Sequence, residues 1–378
     1  MFVRHLSTGY ASTMRSPLFL ISLVATLACS AAAAVATTAT APVLATPAST
    51  PAPSFRVVET IKLPGATRWD YLVFSAESHR LYLTRGDSVD VYDTATKRVV
   101  GSIADTKGVH GVALAPDLNR GFTSNGQDNT VTVFELDSLK KIGTVPTDKR
   151  PDAIVYDAFT KRVFTANAVG ENLTAIDAVS LKVLATIKVD GKPEFAVVDG
   201  RGRLFVNIEP KNQLAVIDTA KLTSLAKYDL SSACDEPAGL SIDVARMRLF
   251  AGCHNQKMVV VDGNTGKILA ALPIGKGSDA TVYDSQLGLA VSSNGEGTLT
   301  FVGQEKDGSY NVKQTLKTLP SARTMALDPQ SHKIYLVAAE FEPAVMGADG
   351  KPSVIGADSK PARPKVKADS FTVITVAP

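Results

Sequence analysis

The stretch PDAIVYDAFTKRVFTANAVGENLTAIDAVSLKVLATIKV, residues 151–189, alternates apolar and polar residues in four short runs punctuated by Asp, Asn, Gly and Lys. Such alternation places every second side chain on one face, the mark of a β-strand, and no run keeps the period of about 3.6 residues of an amphipathic helix. The pattern then recurs. The segments WDYLVFSAESHRLYLT, VHGVALAPDLNRGFTS, PEFAVVDGRGRLFVN, PAGLSIDVARMRLFAG, SDATVYDSQLGLAVSS and RTMALDPQSHKIYLVA align with residues 151–166. Their lead positions are Asp70, His110, Asp152, Glu194, Ala238, Asp279 and Arg323, in steps of 40, 42, 42, 44, 41 and 44 residues.

A unit of that length is too long for one hairpin and fits a four-stranded blade. The expected fold is therefore all-β, a seven-bladed β-propeller. A third-strand segment follows each copy (SVDVYDTATKRVVGSI, NLTAIDAVSLKVLATI, MVVVDGNTGKILAAL and their equivalents), but the last, SFTVITVAP, has no fourth strand after it. The missing piece lies at the other end: SFRVVETIKL, residues 54–63, matches the outer strands KRVVGSI and LKVLATIKV. The N-terminal strand is expected to complete the seventh blade and remove the exposed edge of an open array.

Outside the ring, residues 1–36 read as a cleaved signal peptide. Arg4, His5 and Arg15 precede an apolar run from Leu18 to Leu27, and Ala34-Val35-Ala36 is a small-residue cleavage site, with Met14 an alternative start. The run is too short for a permanent membrane span. Residues 37–54, rich in Pro, Ala and Thr, read as a flexible tether, and residues 55–378 as one domain. The formal charge of +3 falls to +1 once the leader, with Arg4 and Arg15, is removed, and no basic run is present. Charge thus argues against a nucleic-acid partner. A periplasmic or secreted monomer is expected.

Of the cysteines only Cys234 and Cys253 lie beyond the leader, one before the first strand of the fifth repeat and one ending its second. Two readings stand. An oxidising compartment favours a disulfide between these antiparallel neighbours, whereas His254 could join both thiols around a metal, although the C-x-x-C spacing is absent.

In a propeller the first strands line a central channel, so the lead positions should surround one channel mouth. Asp70, His110, Asp152, Glu194, Asp279 and Arg323, with Arg68 and Glu236 beside them, are the candidate ligand-binding residues. Carboxylates, an imidazole and guanidiniums in one volume suit a cation, or a polar ligand whose carboxylate pairs with Arg323, and crowding should raise carboxylate pKa values. The alternative is that these groups line a wet channel and cap neighbouring backbone. No cofactor is specified. Residues 340–369, rich in Pro, Gly and Lys, replace a short turn of the seventh repeat and read either as a lid or as a solvated excursion. Other motifs weigh little. Arg85-Gly86-Asp87 suits a turn as well as an adhesion signal, Asn172-Leu173-Thr174 is a glycosylation sequon by pattern only, and Asp262 to Gly266 imitates a calcium loop whose twelfth position is Pro273. His79 and His332 are expected in solvated turns on the opposite face.

From Phe55 to Pro378 the chain resembles the YVTN-repeat family of β-propellers, and its exported YncE-like subgroup in particular. The resemblance rests on RVFTAN, RLFVNI and RLYLT, on VDVYD, LAVID and MVVVD, and on the stretch from Cys234 to Gly275. It implies a periplasmic binding or scaffold role. DNA binding is proposed for some members, and related propellers include lactonases, surface-layer proteins and the cytochrome d1 haem domain. Two functions follow as expectations: a non-catalytic binder of a small polar ligand, metal or protein partner at the channel mouth, or a lactonase-like hydrolase in which a channel acid or His110 activates water, with or without a divalent ion. A haem site would need a large apolar cavity, which the sequence does not reveal.

Overall fold

A computed structural model describes residues 53–343, 354–355, 360–361 and 364–378. The expected signal peptide, nearly all of the expected tether, and much of the 340–369 insertion lie outside these residues. Among the described residues are seven four-stranded antiparallel sheets and one short ladder, Val354–Ile355 with Lys360–Pro361. The seven inner strands are Leu72–Ser75, Val109–Ala115, Pro151–Asp157, Pro193–Val198, Pro237–Asp243, Ser278–Asp284 and Met325–Asp328. Each contacts the inner strand of the blade before and after it, and the seventh returns to the first, so they close a ring around a common axis.

Closure is completed by the N-terminal strand. Arg56–Lys62 pairs antiparallel with Thr372–Ala377, with Arg56 opposite Ala377 and Lys62 opposite Thr372, and is the outermost strand of blade seven. Phe55 stacks on Phe301 of blade six with ring centroids 4.4 Å apart, and Gln314 brackets the Phe55 backbone with bonds of 2.9 and 2.6 Å.

Burial follows from blade position. The second and third strands are covered on both faces by neighbouring blades and are buried almost throughout, as in Arg162–Asn167 and Asn172–Asp177. Outer strands such as Thr223–Asp229 alternate between exposed and half-buried residues. The third residue of the second strand is aromatic in six blades: Tyr82, Phe122, Phe164, Phe205, Phe250 and Tyr335, all buried, with Val291 in blade six. Each such side chain contributes about 1.5–3 kcal/mol by leaving water. The Asp ending many third strands has a local task. Asp93, Asp177, Asp218 and Asp262 each accept backbone N–H bonds from residues two and three positions on, fixing the outer turn.

The disulfide forms. Cys234 and Cys253 are bonded, with Cα atoms 5.5 Å apart, so they are not available as thiolates to a metal with His254. Arg85 of the Arg-Gly-Asp turn is buried, its guanidinium 3.9 Å above the Phe371 ring and bonded to Thr67 Oγ1 and the Pro64 carbonyl. That placement removes it as an adhesion signal. Asn172 of the sequon is also buried, held by Asn167 and Asp148. His79 is exposed as expected, but His332 is not free: its Nδ1 lies 2.7 Å from Asp284 Oδ2 and joins the inner turn of blade six to blade seven.

Candidate functional site

Why the lead residues face the channel is visible in the strand pairing. In blades two to six the inner strand is irregular at its start, with a register shift between Val109 and Gly111, Pro151 and Ile154, Pro193 and Ala196, Pro237 and Leu240, and Ser278 and Ala280. His110, Asp152, Glu194, Ala238 and Asp279 sit within those shifts. A bulge breaks the in-and-out alternation and re-aims a side chain, which lets a polar residue face the mouth while apolar residues continue behind it. Asp70 and Arg323 precede the inner strands of blades one and seven.

Neighbouring blades then hold the lead residues by their carbonyls. Ser124 donates to the Asp152 carbonyl, Asn207 to that of Ala238 at 2.7 Å, Ser293 to that of Arg323, and Thr324 to that of Asp70 at 2.8 Å.

The side chains form one network over five blades. Arg323 Nε is 2.8 Å from Asp279 Oδ2, and its Nη2 is 3.6 Å from Asp70 Oδ1. Asp70 Oδ2 lies 2.6 Å from His110 Nδ1, and Asp152 Oδ1 lies 3.5 Å from that same nitrogen. The opposite edge of the imidazole, with Nε2, packs against Gly126, where a Cβ would come within 2.7 Å. Glu194 continues the arc and pairs with Lys192 at 2.7 Å, and Lys192 also meets Glu209.

Electrostatics follow from this crowding. Burial, reinforced by the charge of Asp152 and only partly offset by Lys192, pushes Glu194 up to about 8. Burial also lifts Asp279, to about 6; Arg323 opposes the rise while Asp70 and Asp152 add to it. Asp152 is raised by burial, against the attraction of His110. Burial alone would lower His110, but its bond to Asp70 and the charges of Asp152 and Asp70 outweigh that and hold it up.

Six of the expected residues thus converge: Asp70, His110, Asp152, Glu194, Asp279 and Arg323. The other two stand at the rim. Glu236 is exposed and pairs with His254 Nδ1 at 2.9 Å, near Glu209. Arg68 donates to the Pro364 carbonyl at 2.5 Å and, with Trp69, Gly295, Ser321, Arg323 and Phe341, lines a pocket of about 250 Å³. The base of the long insertion reaches this rim, since Phe341 bridges to Val366 and stacks on Trp69 with centroids 5.9 Å apart. Lys192 and His254 were not singled out at the mouth from sequence. Lys192 lies two residues before a lead position and was the detectable signal.

Below the mouth the channel departs from the expected wet, polar lining. Tyr71 and Phe195 meet at 4.9 Å between centroids, and from them a cavity of about 680 Å³ runs to the far ends of the inner strands. It is walled by Val112, Leu114, Ile154, Val197, Ile242 and Leu327 among others. The reason is the same bulge: past it, the regular alternation turns aliphatic residues toward the axis. Tyr71 feels both sides, its hydroxyl pKa raised well above normal by burial and then by Asp279, Glu194, Asp70 and Asp152.

No protein-family model matches the sequence, and no curated protein matches it by sequence. Solved structures do resemble it. The structure described as Kuenenia stuttgartiensis hydrazine synthase matches at 15% identity and a TM-score of 0.62, over 72% of this chain and 92% of that one. U3-55K matches at 8% identity and 0.67, over 85% and 98%, and the RRP9 WD40 repeats at 8% and 0.69, over 85% and 100%. At such identities the likeness establishes the propeller fold and nothing finer.

Proposed function

We propose that this chain is an exported β-propeller that binds a small polar ligand or a protein partner across the channel mouth. The observation that carries the reading is the network from Asp279 through Arg323, Asp70 and His110 to Asp152, assembled from blades six, seven, one, two and three. Bulges and carbonyl-locking hydroxyls hold it in place, a larger investment than a merely wet channel needs. Arg323 supplies the cationic group for a ligand carboxylate, and Lys192, beside Glu194, adds a second positive charge to the arc. A β-propeller commonly serves binding or scaffold roles. Export is supported by the Cys234–Cys253 disulfide, and no helix among the described residues is long and apolar enough to cross a membrane.

The lactonase-like alternative is less well supported. A general base must reach the water it activates, yet His110 gives Nδ1 to Asp70 and rests its Nε2 edge against Gly126. A thermal-shift screen with small dicarboxylates, hydroxy acids and amino acids tests the binding reading. A compound that stabilises the wild type should fail on the Asp279→Ala, Arg323→Ala double variant. Full stabilisation of the double variant would place binding elsewhere.

A further inference from the structure

We infer that Asp70, His110 and Asp152 form a site for a divalent first-row transition ion, with zinc or manganese as the fitting class. The inference rests on the reading of the mouth as a binding site and names one occupant of it.

Two carboxylates face one imidazole nitrogen. Asp70 Oδ2 is 2.6 Å and Asp152 Oδ1 is 3.5 Å from His110 Nδ1, and the three donor atoms lie within 4.8 Å of one another. A single N–H can serve only one acceptor well. Asp70 takes it, and Asp152 is left with its carboxylate accepting no hydrogen bond although the residue is 7% exposed. A second carboxylate set against the same imidazole nitrogen gathers two negative groups and one neutral donor around a small volume, an arrangement that a bound cation would neutralise.

The spacing suits coordination. Bonds of about 2.0–2.1 Å to nitrogen and oxygen place tetrahedral ligands about 3.3 Å apart, between the two distances seen. One imidazole and two carboxylates favour zinc, manganese or iron over calcium, which takes six to eight oxygens. Outward positions of the ion would open onto the channel beside Arg323, where a ligand oxygen or water can complete the shell. A second group, Glu209, Glu236 and His254, also lies within 4.8 Å but is more exposed, with Glu236 and His254 already bonded to each other. It serves as the internal control.

The test is calorimetric titration of zinc chloride into the protein, purified without a polyhistidine tag and stripped with EDTA. One zinc per chain is expected, bound at least tenfold more weakly by Asp152→Asn and by His110→Ala, and with unchanged affinity by His254→Ala. Circular dichroism of each variant separates loss of the site from loss of the fold. Absence of saturable binding, or loss in His254→Ala but not in Asp152→Asn, would overturn the inference. The organic-ligand thermal shift repeated in EDTA distinguishes the two levels: if it persists while zinc fails to bind, the metal site falls and the binding mouth stands.

Discussion

His110 and Asp279 hold the same place in different blades. Each is the residue at which its inner strand shifts register, between Val109 and Gly111 in one case and between Ser278 and Ala280 in the other. Both side chains therefore turn into the mouth, and each meets a charged partner from the next blade or the one before: Asp70 for His110 and Arg323 for Asp279. The propeller thus builds its site from a repeated backbone irregularity rather than from a special loop.

Hydroxyls of neighbouring blades also hold the lead residues by their carbonyls. Ser293 is fully buried and donates to the carbonyl of Arg323. Ser293→Ala should leave that carbonyl without its partner and destabilise the protein by about 1–3 kcal/mol, read as a lower urea midpoint with unchanged slope. An unaltered midpoint would show that the hydroxyl does not hold the entry to the blade-seven inner strand.

Stability should fall as the pH rises. In the metal-free folded chain Glu194 titrates at about 8 and Asp279 at about 6, whereas unfolded carboxylates titrate near 4. Between these limits the folded state retains protons that the unfolded state has released, so the contribution is full below the unfolded value and is lost as pH climbs through the folded ones. Asp93 and Asp177, lowered by hydrogen bonds from Thr96 and Ser180, act oppositely and weaken the fold only as acid protonates them. Melting temperature should decline from about pH 5 to about pH 8, and Glu194→Gln should flatten the decline. An identical slope in that variant would remove Glu194 as its source.

Removing residues 54–63 should destroy solubility. The deletion strips the partner from Thr372–Ala377, leaves its TVITVA edge unpaired, and takes away the Phe55–Phe301 stack. Light scattering should report aggregation, and a soluble truncated protein with the full melting temperature would disprove closure by this strand.

The disulfide spans 19 residues, and joining such a loop is worth about 3 kcal/mol through the unfolded chain. The Cys234→Ala, Cys253→Ala double variant should melt several degrees lower, while thiol titration of the unreduced, unfolded wild type should find neither cysteine free. Two titratable thiols would contradict the bond.

Much of this was legible beforehand, for a physical reason. A repeated Asp-turn-Arg-aromatic pattern encodes a local hairpin, and seven copies leave few architectures, so even the exchange of the N-terminal strand into blade seven could be read from RVVETIK. The convergence of Asp70, His110, Asp152, Glu194, Asp279 and Arg323 followed from repeat alignment. The bulges did not, because register is set by pairing between strands and leaves no mark on one strand alone. For the same reason the apolar cavity below Tyr71 and Phe195 escaped notice, since its lining comes from residues far apart in sequence. His332 does lie in a turn, but its partner, Asp284, belongs to another blade, so the pairing left no local mark. Glu236 stands two residues before the lead position of its blade, Ala238, and stays at the rim, paired with His254.

Native mass spectrometry of the protein taken gently from its own cell envelope, wild type beside the Asp279→Ala, Arg323→Ala variant, tests the binding mouth most directly. The wild type should carry a co-purifying ligand or partner mass that the variant lacks. A wild type that carries nothing, or a variant that carries the same mass, would contradict it.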